Sequence, residues 1–397
     1  MGDPDCVPHQ RGQVLVAVAL VITVATGAVL YVFLSPGSRR SAEEKITARA
    51  LAAARDALVG RAAGDNNRPG SLPCPDLATN IPGINIPNDG IADLLVGNEC
   101  PSYIGRLPWR TLDLPDLRDG SGERLWYALS RVFRDDDSAQ PINSDSVGTL
   151  SVTGTANFAN LIAIVFAPGA VLGNQVRDSA NTNSVANYLE GGNEMSGTTG
   201  FIAGALSATF NDQLLAVSSD TLIPVVEARV ARDARKVLSD FFNDPANGYF
   251  PYANAYGDAS EQCTDGQHSG RIPRYFADAC KRNPGDPDWN GVSWPSWFFA
   301  NNWHQVLFYA VATKCTNPVS PACSAAGSLL TVDGLPAPGN NIQALLMTPG
   351  RAFAGQTRPC ATAGDCLEDA ENTDGDAEFR KSTVTPTVND RLLVVAP

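Results

Sequence analysis

The apolar positions of this chain are concentrated in one long run near its start. From Val14 to Leu34 the chain has 21 successive residues without a charge. An α-helix rises ~1.5 Å per residue and a bilayer core needs ~20 apolar residues, so this run is long enough to cross a membrane. A helix that is apolar on every side would find nothing to bury against in water. We therefore predict a transmembrane helix over residues 13–35, preceded by a polar leader at residues 1–12.

A second helix is predicted directly after the apolar run. Pro36-Gly37 should end the first helix, and Ser41 with Glu44 matches an N-terminal capping box. Apolar side chains then recur at helical spacing through residues 41–63. They are Ile46, Ala50, Leu51, Ala54 and Leu58.

Short motifs of the first part of the chain recur in the same order later in the chain, which indicates an internal duplication; the offset is about 178 residues at both ends and drifts in the middle. The pairs include Ala54-Arg55-Asp56-Ala57 with Ala231-Arg232-Asp233-Ala234, Gly105-Arg106-Leu107-Pro108 with Gly270-Arg271-Ile272-Pro273, and Asn211-Asp212 with Asn389-Asp390. The pattern predicts two tandem modules, residues 41–220 and 221–397.

Each module is predicted to contain one helix, a loop rich in proline and glycine, and several short strands. In the second module the helix should run from Pro224 to Phe242. The predicted strands are 124–130, 161–167 and 213–217 in the first module, and 305–312, 342–347 and 391–395 in the second. Short apolar runs separated by turn residues favour an antiparallel sheet packed on the helix, hence an α+β fold. The predicted surface loops are 135–150, 178–200, 313–340 and 359–385.

Composition narrows the class of protein. The chain has 397 residues, of which 44% are hydrophobic and 18% are charged, so most of it should fold. Its net charge is −13, and no basic patch is visible. A nucleic-acid partner is therefore not expected.

Eight of the nine cysteines follow the apolar run, and only Cys6 precedes it. An even number on one side of a membrane favours disulfides in an oxidising compartment. We predict bonds between neighbours in sequence: Cys74–Cys100, Cys263–Cys280, Cys315–Cys323 and Cys360–Cys366. Their spacing is not that of a zinc site. Because the charges around the run do not fix its orientation, the cysteines place the large part of the chain outside. A cleaved secretory signal is the alternative.

Catalytic motifs are scarce. The three histidines are His9, in the leader, and His268 and His304, which have no counterparts in the first module. A Ser-His-Asp or Cys-His site would need one of the latter two. The sequence has no GxSxG, P-loop or HExxH motif. The aromatic residues at 289–309 are more typical of a core than of a ligand surface, so His304 is expected to pack in a core and no enzyme is predicted.

An acidic loop carries the one candidate metal site of the second module. It contains Asp369, Asp374, Asp376 and Glu378 around Gly375. Clustered oxygen atoms can bind calcium, although the spacing is not that of an EF-hand. A solvated acidic loop is the alternative and the more common case. Asn88-Asp89-Gly90 with Asp93 is a weaker candidate in the first module. No other cofactor is predicted.

The N-terminal residues resemble a known family. Arg11-Gly12-Gln13 followed by the apolar run, with a helix and a Pro/Gly loop at 41–73, resembles type IV pilins and type II secretion pseudopilins. The segment 247–253, NGYFPYA, also looks like the stretch after a pilin helix. The resemblance implies cleavage by the prepilin peptidase between Gly12 and Gln13, with methylation of Gln13. It also implies a bacterial inner-membrane location, single-pass, with the globular part in the periplasm or at the tip of an extracellular or periplasmic fibre.

Two positions depart from the family pattern. Gln13 stands where pilins usually have phenylalanine or methionine, and Ala17 stands where most have a glutamate. In the family that glutamate pairs with a neighbouring subunit, and a subunit without it resembles the K-type tip pseudopilin. Calcium is also known in tip pseudopilins. The expected function is therefore structural, as a minor pilin or tip pseudopilin. Its expected partners are other pilin subunits through the N-terminal helix, the prepilin peptidase and the inner membrane. The alternative is a membrane-anchored periplasmic binding or adhesion protein that does not polymerise.

Overall fold

The computed structural model describes residues 36–77, 86, 88–136, 140–195, 197–316, 318, 323, 329–337 and 339–397. Its helices are α1 (Pro36–Gly64), α2 (Ser219–Asn243), α3 (Ser296–Ala300) and α4 (Trp303–Val306). The predicted leader, Gly12, Gln13 and the predicted helix 13–35 lie outside the described residues. Within the described ranges, none of the helices combines the length and the apolar character needed to cross a bilayer.

The first half of the chain, up to residue 217, forms two sheets. Its strands are β1 (Ile104–Arg106), β2 (Trp126–Leu129), β3 (Leu150–Gly154), β4 (Phe158–Leu161), β5 (Ala163–Ala167), β6 (Gly200–Ala203) and β7 (Gln213–Val217). Strands β1-β2-β5-β7 form an antiparallel sheet in that order. Strands β4-β3-β6 form the other sheet, in which β3 is antiparallel to β4 and parallel to β6.

The second half, from residue 219, contains seven further strands. They are β8 (Ser269–Arg271), β9 (Phe308–Val311), β10 (Leu330–Asp333), β11 (Asn341–Ile342), β12 (Ala344–Thr348), β13 (Glu378–Arg380) and β14 (Arg391–Ala396). The sheet orders are β8-β9-β12-β14 and β11-β10-β13, with the same parallel and antiparallel pairings as in the first half. The fold is thus α+β, and the strand topology of the second half repeats that of the first.

The predicted strands correspond to the two inner strands and one edge strand of each four-stranded sheet. Each predicted run overlaps a strand, and 213–217 matches β7 residue for residue, whereas β12 and β14 end one residue beyond the runs 342–347 and 391–395. The three-stranded sheets were not predicted. Strands β10 and β13 lie inside stretches expected to be loops, 313–340 and 359–385. These strands are short, and their outward side chains are exposed, so they leave little apolar pattern in the sequence.

Helix α1 starts earlier than predicted and packs over only part of its length. Proline in the first turn breaks no helical hydrogen bond, so the helix includes Pro36 and continues through Ser41. Residues 40–46 are exposed, and Ile46 of the predicted apolar stripe is 49% exposed. From Ala50 onward the stripe is buried against the sheet and α2. The remaining buried residues are Leu51, Ala54, Leu58, Val59 and Ala62.

One hydrophobic core joins the two halves. It contains Leu58 of α1, Val226 and Val230 of α2, and the inner faces of both four-stranded sheets. The aromatic residues at 289–309 belong to it, since Trp297, Phe298 and Trp303 are buried. A second core, around Trp126, Phe166 and Phe201, lies between the two sheets of the first half.

Four disulfides connect the loops, and they are the neighbouring pairs that the sequence predicts. They are Cys74–Cys100, Cys263–Cys280, Cys315–Cys323 and Cys360–Cys366. The number of disulfides favours an extracytoplasmic location for this part of the chain.

Candidate functional site

Both halves contain the same polar framework beside the turn that follows the central strand. In the first half, Arg177 Nη1 donates to Gly169 O at 2.7 Å and Gln175 Nε2 donates to Glu190 Oε1 at 2.5 Å. In the second half, Gln356 Nε2 donates to Glu368 Oε1 at 2.8 Å, and Arg358 Nη2 donates to Cys366 O at 3.3 Å. The arginine of the Gln-x-Arg motif therefore donates to the carbonyl oxygen before the Leu-Glu pair in both halves, to Tyr188 O at 3.5 Å in the first and to Cys366 O in the second, and it reaches the Pro-Gly turn in the first half.

A carboxyl pair completes this framework in the first half, in which Asp212 is buried and Glu190 is half-buried. Asp212 Oδ2 accepts from Glu190 N at 2.9 Å and from Asn193 Nδ2 at 3.0 Å. Asn211 N donates to Glu190 Oε2 at 3.2 Å. Burial, together with the charge of Glu190, raises the pKa of Asp212 to about 8. Asp212 therefore keeps its proton at neutral pH and can share it with Glu190.

The second half repeats the pair with equivalent residues. Asp390 Oδ2 accepts from Glu368 N at 2.8 Å, and Asn389 N donates to Glu368 Oε2 at 2.9 Å. Burial likewise raises the pKa of Asp390 to about 8. Each half thus contains one carboxyl that is neutral where an exposed aspartate would be charged.

The halves differ in the acidic groups that complete the framework. In the first half, Asp119 Oδ2 accepts from Gly169 N at 2.8 Å, and Glu123 pairs with Arg177 at 3.4 Å. Both acids come from the segment 118–124 of the same half. In the second half the equivalent residues are Gly350 and Arg358, and they interact with acids from other segments of the chain.

Those partners come from α2 and from a loop of the first half. Glu227 Oε1, on α2, accepts from Gly350 N at 2.9 Å and also from Ser144 Oγ. Asp145 pairs with Arg358 at 2.9 Å. The loop 142–145 of the first half therefore completes a network that belongs to the second half.

The same loop makes further contacts with the second half. Ile142 N donates to Asn301 Oδ1 at 3.0 Å, and Asn143 Nδ2 donates to Asn301 O at 2.9 Å. We call the loop 142–145 together with Glu227, Asn301 and Arg358 the junction. Sequence reasoning did not find it. One signal was present: Glu227 follows Ile223 by one helical turn on the apolar face of α2, where a charge is out of place.

Two equivalent clefts lie beside the starts of the long helices. The first has a volume of about 560 Å³ and includes Glu43, Thr47 and Asn211 among its lining residues. The second, of about 330 Å³, includes Asn389 and Arg391. Their charges differ: acidic side chains predominate around the first, whereas two arginines line the second.

The histidines considered as catalytic candidates have separate surroundings. His304 is buried in the aromatic cluster, 5.1 Å from the ring of Phe299, with Nε2 3.0 Å from Glu261 Oε1. Burial lowers the pKa of His304. His268 is partly buried and lies 5.6 Å from the ring of Tyr252. His304 therefore packs in the core, as the sequence predicts.

The acidic loop of the second half forms turns and ion pairs. Asp369 pairs with Arg380 at 3.4 Å, Asp374 Oδ1 accepts from Asp376 N at 3.2 Å, and Asp376 Oδ1 accepts from Glu378 N at 2.7 Å. Over the described ranges, no group of three or more His, Cys, Asp and Glu side chains is placed to hold a metal ion. Calcium binding by this loop stays a prediction.

The weaker calcium candidate of the first half has a similar outcome. Asp93 Oδ2 accepts from Leu77 N at 3.1 Å, and Asp89 Oδ1 accepts from Ile91 N at 2.8 Å. The nearby Asp76 accepts from Gly90 N at 2.8 Å, and burial raises its pKa to about 7. These carboxyl groups shape the loop that the Cys74–Cys100 disulfide closes.

The framework and the cleft occur in each half, whereas the junction is formed by residues of both halves. Comparison of the chain with protein-family models, with curated proteins and with solved structures finds no match. The function is therefore inferred from the residues and their geometry.

Proposed function

We propose that this protein is a minor pilin or tip pseudopilin, a structural subunit that residues 13–35 hold in the bacterial inner membrane. The observation that carries the proposal is the shape of α1. Its C-terminal part is buried in the body from Ala50 onward, whereas residues 40–46 are exposed. The exposed part leads directly to the apolar run that ends at Leu34. A helix that leaves a folded body toward an apolar segment suits an anchor that can exchange lipid for the helices of other subunits.

The surroundings of the C-terminal ends of α1 and α2 support a terminal position in a fibre. The C-terminal end of α1 is covered by α2, whose Arg229 Nη1 donates to Ala63 O at 2.7 Å. On α2 the corresponding end is covered by the connection between β8 and β9, residues 272–307. Arg282 Nη1 from this connection donates to Ala246 O at 3.0 Å, and Trp289 lies 5.5 Å from Phe241.

This comparison bears on how many units can stack. In the first half the C-terminal end of the long helix is covered by α2 of the second half. In the second half the corresponding end is covered by residues 272–307 of the same half. Terminal units of repeat proteins are closed in this way, which prevents a further unit from adding. The closed end favours a tip or minor subunit over a subunit repeated along a shaft, in agreement with Ala17 at the position of the family glutamate.

Mass spectrometry of the mature N-terminus tests the proposal. Expressed with a prepilin peptidase, the chain should begin with methylated Gln13, and without the peptidase it should begin with Met1. Gly12→Leu should block processing because a large side chain replaces the glycine at the cleavage site, whereas Gly2→Leu, the matched control in the leader, should not. An intact N-terminus in the presence of the peptidase would refute processing and favour a plain anchor.

A membrane-anchored binding protein that does not polymerise is the second candidate, and one groove favours it. The groove has a volume of about 680 Å³ and lies between β7 and β4 in the first half. Its lining includes Phe158, which is 51% exposed, and Leu206, which is 42% exposed. Exposed apolar surface of this kind is typical of binding sites. Under this alternative the protein should remain in the membrane fraction when fibres are sheared from cells.

A further inference from the structure

The junction contains one carboxyl group that is sealed from solvent. Glu227 is fully buried, and its Oε1 accepts both from Ser144 Oγ and from Gly350 N, the latter at 2.9 Å. Its Oε2 has no hydrogen-bond partner within the described ranges. The Thr348 hydroxyl lies beside the carboxyl and is buried as well. Because the carboxyl group is removed from water and the two groups that donate to Oε1 are neutral, burial favours its protonated form.

We propose that Glu227 is a proton-operated latch between the two halves, which holds the loop 142–145 in place when it is protonated and releases it when it ionises. Ionisation would place a negative charge in the core at the point where Ser144 enters the second half. A buried charge needs compensation that two neutral donors supply only in part. The latch concerns the folded body and goes beyond the proposed role in a fibre.

The charged groups around Glu227 set the strength of this effect. From β14, Arg391 is close enough to favour the ionised form of Glu227. From the loop, Asp145 is engaged with Arg358 at 2.9 Å, so its charge is balanced within the junction. From the end of β12, Thr348 and Gly350 contribute only neutral groups. The neutral donors and the arginine all favour the ionised form, but burial outweighs them and raises the pKa of Glu227 to about 7.

The sign of the pH dependence follows from this pKa. In the released state Glu227 has its ordinary pKa of 4.5, and in the docked state its pKa is about 7. The docked state thus binds more protons between these values, so docking weakens as pH rises through that range. The linkage gives a loss of about tenfold in the docking equilibrium between pH 6 and pH 8, because one pKa unit corresponds to a tenfold change.

Hydrogen exchange of the full chain tests the latch. After correction for the intrinsic exchange rate, amides of residues 142–145 should lose protection about tenfold between pH 6 and pH 8. The segment 118–124 is the internal control, since Asp119 and Glu123 serve the equivalent glycine and arginine there without Glu227. Its protection should not change by the same factor. Equal protection of the loop at both pH values would overturn the proposal.

Two variants and one titration separate the latch from a general loss of stability. Glu227→Gln keeps the acceptor for Ser144 and Gly350 but does not titrate, so protection of the loop should no longer depend on pH. A tenfold loss that persists in this variant would refute the role of Glu227. In the Arg391→Gln variant the loop should lose protection at a higher pH than in the wild-type chain, because the substitution removes the charge that favours ionised Glu227. If Glu227→Gln fails to fold, the carboxyl carbon resonance of Glu227 in the wild-type chain decides: a midpoint near pH 7 supports the latch, and one near pH 4.5 overturns it.

Discussion

Substitution of Asp212 by asparagine is a direct test of the carboxyl pair. Asparagine can keep its Oδ1 as the acceptor for Glu190 N and Asn193 Nδ2, which donate to Asp212 at 2.9 and 3.0 Å. Its Nδ2 can donate to the Glu190 carboxylate in place of the proton of Asp212. The substitution therefore removes the titration of residue 212 while it preserves the hydrogen bonds.

The magnitude follows from the pKa of Asp212, which is about 8 in the fold and 3.8 for an exposed aspartate. The native state keeps the proton between these values and the unfolded chain loses it, so the free energy of unfolding falls as pH rises from about 4 to 8. At ~1.4 kcal/mol per pKa unit, the loss can reach roughly 5 kcal/mol. Asp212→Asn should therefore be the more stable protein at pH 8, and it should approach wild type at pH 4.

Urea denaturation at pH 4, 6 and 8, with the disulfides intact, measures this difference. Asp390→Asn is the matched variant in the second half, where burial raises the pKa of Asp390 to about 8 by the same arrangement. Asp212→Ala is the control that removes the titration and both acceptors, so it should be less stable than Asp212→Asn by about 1–3 kcal/mol at every pH. If Asp212→Asn proved less stable than wild type by the same amount at pH 4 and pH 8, the shared proton would be refuted.

Two further predictions concern α1 and the first disulfide. Leu58→Ala should lower the free energy of unfolding by about 2–5 kcal/mol because Leu58 is fully buried, whereas Ile46→Ala, at a position 49% exposed, should change it by less than about 0.5 kcal/mol. Equal losses in the two denaturation curves would contradict the packing of α1. Replacing Cys74 and Cys100 together by serine should cost about 2–4 kcal/mol by freeing the unfolded chain, and a peptide map should show the other three disulfides intact. Free thiols at both positions in the wild-type protein would contradict the bond.

The four-stranded sheets were predictable because their strands leave strong local signals. The runs that form β5 and β12 are buried at every position, and they are apolar throughout except for Thr348 at the end of β12. The disulfides were predictable too, since each joins two cysteines that are neighbours in sequence and closes a loop of 6 to 26 residues. The duplicated motifs also mark equivalent places in the two halves, including the turns at Gly169 and Gly350.

The three-stranded sheets and the junction could not be predicted, because they depend on contacts between distant residues. Strand β3 pairs in parallel with β6, so the partner of Val152 is Phe201, far along the chain. Ser144 and Glu227 likewise come from different halves. A sequence pattern records that Glu227 interrupts an apolar face, but it does not record which group compensates for it.

The exchange of acidic partners across the junction makes the two halves unequal as folding units. The first half supplies its own acids to the turn glycine and the arginine, as Asp119 and Glu123 do for Gly169 and Arg177. The second half takes Asp145 from its neighbour for Arg358, whose side chain is buried. Expressed alone, the second half would lack this acid for a buried guanidinium, whereas the first half would keep both of its own. Division of the chain between the halves therefore costs the second half more than the first.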